Sequence, residues 1–82
     1  MKVRILNGQD GDWQGLFIEG KLVTEGHVLG EGHSQMFMLE MAEKYGFTRD
    51  DVSSHELTDE DDDLLNMAGS FPLSINELSG NY

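Results

Sequence analysis

Lys2-Val3-Arg4-Ile5-Leu6 opens the chain with polar and apolar residues in alternation. Val3 and Ile5 point one way and Lys2 and Arg4 the other, which predicts a half-buried strand over 2–6. Asn7 to Asp12 is dense in turn formers and reads as a loop. Aromatic and branched residues from Trp13 to Ile18 predict a second strand, with Trp13 and Phe17 alternating onto one face as core. Glu19-Gly20 supplies a two-residue turn in which the glycine accepts positive φ without steric penalty. Residues 21–25 then complete a hairpin that sets Phe17 opposite Leu22, and Leu16 opposite Val23. Both faces of this hairpin are apolar. Each therefore needs a cover, a helix on one side and a loop or a partner on the other.

After a glycine-punctuated connector from Gly26 to Gly32, the period changes. Met38, Met41, Ala42 and Tyr45 form one stripe, with Phe37 joining Met41 at i+4, and a helix is predicted over 33–45, capped by Gly32 or Ser34. Gly46 ends it in the left-handed conformation, with Phe47 folding back. Thr48-Arg49-Asp50-Asp51 has the form of a capping box, with Phe47 and Val52 placed as a staple, and starts a single turn. Residues 52–57 follow as a short edge strand. Thr58 caps a further helix that runs to Ala68 and stops at Gly69. Ser74-Ile75-Asn76-Glu77 forms a third box, with Leu73 and Leu78 as its staple. The expected architecture is one α+β domain over 1–82. A small antiparallel sheet of three to four strands packs on one main helix, and short helical segments follow towards the C-terminus.

Charge narrows the choice of partners. Of 82 residues 16 are acidic and 5 are Lys or Arg, a net charge of −11. Phosphate binding needs Lys and Arg to displace counterions, so direct contact with nucleic acid is not expected, nor with an anionic membrane. No apolar run approaches membrane-spanning length, and Met1 to Leu6 lacks the apolar centre of a signal peptide. Cysteine is absent, which removes disulfides and thiolate metal sites. The imbalance is concentrated after residue 44, where Arg49 stands alone against nine acids.

Those acids suggest a binding surface. Asp50, Asp51, Glu56, Asp59, Glu60, Asp61, Asp62 and Asp63 would form an eight-carboxylate face if the fold gathers them, suited to a basic protein surface. The electrostatic logic is that of a DNA mimic, an inhibitor filling a host protein's nucleic-acid groove. The run at 59–63 fails as a calcium loop, because Leu64 stands where glycine is needed and Ser70 where glutamate is needed. Part of the run also has a purely structural explanation, since acids in a first helical turn complement the helix dipole. The competing surface is apolar. Met36, Phe37 and Met38 cannot all face one sheet, so one side of the main helix could serve an accessory subunit or a homodimer.

Chemistry is poorly represented. His27, His33 and His55 match no metal-ligand spacing, and the glycines at 26, 30 and 32 match neither nucleotide fingerprint. No serine lies in a nucleophile elbow. The expectation is a protein that is not an enzyme, with no metal and no cofactor.

Gly11-Asp12-Trp13-Gln14-Gly15-Leu16-Phe17, then Gly20-Lys21-Leu22-Val23 and Glu25-Gly26-His27, resembles a pattern in small bacterial and phage proteins, and Gly69-Ser70-Phe71-Pro72 with Leu78 is similar to their tail. The resemblance implies a compact α+β domain of bacterial or phage origin, and the expected location is the cytoplasm of a bacterial or phage-infected cell. It brings no known activity and transfers no functional residues.

Overall fold

A computed structural model describes residues 1–29 and 34–82 of the chain. Its elements are β1 (Val3–Asn7), β2 (Gln14–Ile18), β3 (Lys21–Gly26), α1 (Ser34–Tyr45), a 3-10 turn (Arg49–Asp51), β4 (Val52–Glu56), α2 (Asp59–Ala68) and a second 3-10 turn (Ile75–Glu77). The fold is α+β, as the pattern predicts. The sheet runs in the order β3-β2-β1-β4 and is mixed. β1, β2 and β3 form the antiparallel meander, while β4 lies parallel to β1, with Val3 opposite Val52 and Asn7 opposite Glu56. A purely antiparallel sheet does not form because the chain reaches β4 through α1, and such a crossover returns it in the direction of β1.

The β2–β3 turn has φ of 52° at Glu19 and 81° at Gly20, the two positive values of the turn type whose twist suits a hairpin. Phe17 pairs with Leu22 as expected, but Leu16 pairs with Thr24 rather than Val23, because β3 carries an extra residue at a bulge. Gly46 and Gly69 end their helices with φ of 79° and 76°.

Each face of the sheet is covered, giving two small cores. Val3, Leu16, Ile18, Leu29 and Phe47 are buried on the α1 side, with Phe37, Met38, Met41, Ala42 and Tyr45 packed against them. Leu6, Phe17, Leu57, Leu65, Phe71 and Leu78 are buried on the other side, beneath α2 and the C-terminal segment. β1 is therefore not half-buried: Leu6 turns away from Val3 and Ile5 into the second core. Trp13 and Phe17 share that face, and the Phe17 ring meets Phe71 edge to face at 5.6 Å. Gly15 is required beneath Phe71, since an added Cβ would stand 2.7 Å from the ring. The third capping box forms, with the Glu77 carboxylate accepting from Ser74 N, but its staple does not. Leu78 is buried, whereas Leu73 is 78 % exposed, because the 73–75 backbone is committed to the outer edge of β3. There Leu22 N donates to Leu73 O and Ile75 N to Gly20 O.

Candidate functional site

α2 begins where Thr58 accepts a hydrogen bond from Asp61 N, so Asp59, Glu60, Asp61 and Asp62 occupy its first turn. The five acids of the run then take different environments. Asp61 is 1 % exposed and is not a surface residue. One of its oxygens accepts from Ser79 N at 2.7 Å and Ser79 Oγ at 2.9 Å, the other from Gly80 N at 2.8 Å and the Tyr82 hydroxyl at 2.5 Å. Burial alone would raise its pKa. The four donors outweigh that and bring it down to about 2. Tyr82 is raised in turn, by burial and by this carboxylate, while its oxygen also accepts from Thr58 N.

Asp59 and Asp62 hold the β1–β2 loop. Asp62 Oδ1 accepts from Gln9 N at 2.9 Å, and Asp59 Oδ1 accepts from Gln9 Nε2 at 2.7 Å. Asp10 and Asp12 come beside Asp62, Trp13 and Leu65 around a cavity of about 220 Å³. Glu60 and Asp63 alone in the run are exposed with no hydrogen-bond or ion-pair partner among the described residues.

The eight-carboxylate face does not assemble as one patch. Asp50 and Asp51 precede β4, whereas Glu56 ends it and Asp59 follows, so a strand length of about 16 Å or more separates the groups. Asp51 closes the first capping box, accepting from Thr48 N at 2.9 Å, and lies 3.4 Å from the N-terminal ammonium. Its pKa is lowered chiefly by that backbone donor, against some desolvation and with help from the ammonium.

The apolar set also divides. Phe37 and Met38 pack into the α1 core, and Met36 is 60 % exposed beside Leu39. Sequence reasoning overlooked a second apolar surface on α2. Leu64 is 41 % exposed and Met67 is 89 % exposed, the most of any large apolar side chain among the described residues. With Glu60, Asp63 and Ala68 they line a shallow depression on the helix. A signal existed, because Leu64, Leu65 and Met67 span too wide an angle to share one face at 3.6 residues per turn.

His27 and His55 serve packing. The His27 ring meets Trp13 edge to face at 4.9 Å, and its Nδ1 lies 3.0 Å from Asp12 O. His55 Nε2 lies 2.9 Å from Ser53 Oγ, with its ring against Tyr82. His33 and the connector at 30–32 lie outside the described residues. Among those described, no three His, Asp or Glu side chains are grouped so as to hold a metal ion, and no helix is long and apolar enough to cross a membrane. No family model matches the chain, and neither the curated proteins nor the solved structures contain a match.

Proposed function

We propose that the chain is a non-enzymatic binding domain that docks on a basic protein surface through the outer face of α2. One observation carries this reading: Met67, 89 % exposed, stands beside Leu64 on the same helix face as the unpaired carboxylates of Glu60 and Asp63. A flexible apolar anchor next to unneutralised charge suits a partner with Lys or Arg around an apolar recess. The carboxylates guide encounter, and the methionine slows departure. Asp61, whose pKa is lowered to about 2, has both oxygens occupied by the C-terminal segment, which favours a structural role over acid–base chemistry. The inhibitory form of the reading, in which the partner's basic surface otherwise holds nucleic acid, predicts that double-stranded DNA displaces the chain from that partner.

The test starts with affinity capture from a bacterial lysate at low salt, followed by kinetics on the purified partner. Glu60→Gln and Asp63→Asn together should slow association severalfold and flatten its dependence on salt. Met67→Ser should instead speed dissociation. A captured partner whose binding responds to neither change would overturn the proposal.

A further inference from the structure

The two edges of the sheet are treated differently. Residues 73–75 lie along the outer edge of β3. The outer edge of β4 has no such cover among the described residues. Leu57 N donates to Asn7 O, which fixes the alternation of the strand: residues 53, 55 and 57 address β1, and Val52, Ser54 and Glu56 turn their backbone groups outward. Val52 N is taken by Arg49 O at the end of the 3-10 turn, and Thr58 N by the Tyr82 hydroxyl. Between these closures lie Val52 O and both backbone groups of Ser54 and Glu56, with no backbone partner among the described residues. Exposed carboxylates mark its two ends, Asp50 before it and Glu56 as its last residue, while Asp51 and Asp59 are engaged with Met1 N and Gln9 Nε2 on the β1 side.

We infer that the open edge of β4 receives an extended segment of a basic protein, added as a fifth strand with a Lys or Arg at each end, one beside Asp50 and the other beside Glu56. Main-chain hydrogen bonds to Ser54 and Glu56 provide the attachment, and the flanking charges select the segment. The division of the acids, which defeats a single flat patch, is the arrangement this segment needs. Six strand steps span roughly 20 Å, so its two basic residues stand about six positions apart. A second copy of this chain fits poorly. Antiparallel pairing about Ser54 would bring Asp50 of one copy to the strand end that carries Glu56 of the other, at both ends, and like charges close together across a sheet repel. The inference rests on the proposed function only for the sign of the partner's charge.

The test uses the peptide Lys-Thr-Val-Thr-Val-Thr-Lys, blocked at both termini, with hydrogen exchange of the intact protein read by NMR. At saturation the amides of Ser54 and Glu56 should exchange about tenfold more slowly. The same peptide with its internal amides N-methylated should give no protection, and neither should a version with glutamate in place of both lysines. Ser54→Pro removes an outward N–H at a sheet edge, where proline is tolerated, and should abolish the effect. The methylated peptide leaves the protein unaltered, so the test stands even if Ser54→Pro does not fold. Equal protection by the methylated peptide, or none by the parent, would overturn the inference. So would peptide-induced shifts confined to Glu60, Asp63, Leu64 and Met67, a result that leaves the proposed function intact. Sedimentation showing a dimer whose Ser54 and Glu56 amides are already protected would assign the edge to a second copy and also overturn it.

Discussion

Replacing Asp61 by asparagine leaves the side-chain shape almost unchanged, but it removes the charge and turns one acceptor into a donor. Two of the four donors around Asp61, Gly80 N and the Tyr82 hydroxyl, converge on a single oxygen, and so do Ser79 N and Ser79 Oγ on the other. Whichever way the amide turns, one pair of donors meets an NH₂ group. Losing charge-assisted bonds and stranding buried donors should cost about 2–4 kcal/mol at pH 7. The ionised state gives a separate measure. Lowering the pKa from 3.8 to about 2 corresponds to roughly 2.5 kcal/mol of preference for the folded protein. A carboxyl whose folded pKa lies below its unfolded value contributes fully above the unfolded value, and the contribution disappears as pH falls through the folded one. The gap between the parent protein and Asp61→Asn should therefore be largest at neutral pH and shrink by about 2 kcal/mol on reaching pH 2. Asp51 titrates in both proteins and cancels from the difference. Urea unfolding followed by Trp13 fluorescence at a series of pH values measures the gap directly. A gap that does not change with pH, or one below about 0.5 kcal/mol at neutrality, the size of an ordinary surface substitution, would refute the role given to Asp61.

Other substitutions test the packing. Gly15→Ala should destabilise by about 1–3 kcal/mol in thermal unfolding, because the new methyl meets the Phe71 ring at 2.7 Å and that ring is locked against Phe17. Glu25 Oε1 accepts from both Trp13 Nε1 and Phe71 N at 2.8 Å. Glu25→Ala should therefore cost about 1–3 kcal/mol and shift Trp13 emission to the red, while Glu25→Gln retains most of the stability. Glu19→Asn should raise stability by about 0.5 kcal/mol, read as an increase in melting temperature, since asparagine tolerates the φ of 52° better than glutamate does.

Local rules found the elements because neighbours in sequence decide them. The Glu19-Gly20 turn, the caps at Thr58, Gly46 and Gly69 and the inward stripe of α1 are visible in runs of a few residues. What escaped depends on distant partners. Asp61 looked like an ordinary first-turn acid, and nothing local indicates that Ser79, Gly80 and Tyr82 will return to surround it. Its spacing held a hint: Leu57, Asp61 and Leu65 repeat every four residues, and both leucines are buried. Leu73 holds a staple position in the sequence that the sheet edge pre-empts. The division of the acids followed from the length of β4 and its direction beside β1. The oppositely oriented apolar residues of α2 were open to a helical-wheel argument that the density of charge obscured.

The parallel neighbour of the first strand sets an order of assembly. Val3 and Val52 are 49 positions apart, as are Asn7 and Glu56, whereas the β2–β3 hairpin closes through two residues. Loop closure becomes harder with length, and contacts between remote segments slow folding. The meander and the helices can therefore organise early, while β4 zips on late. Until it does, β1 presents a bare backbone in the nascent chain, and that interval is when stray strands compete most strongly for it.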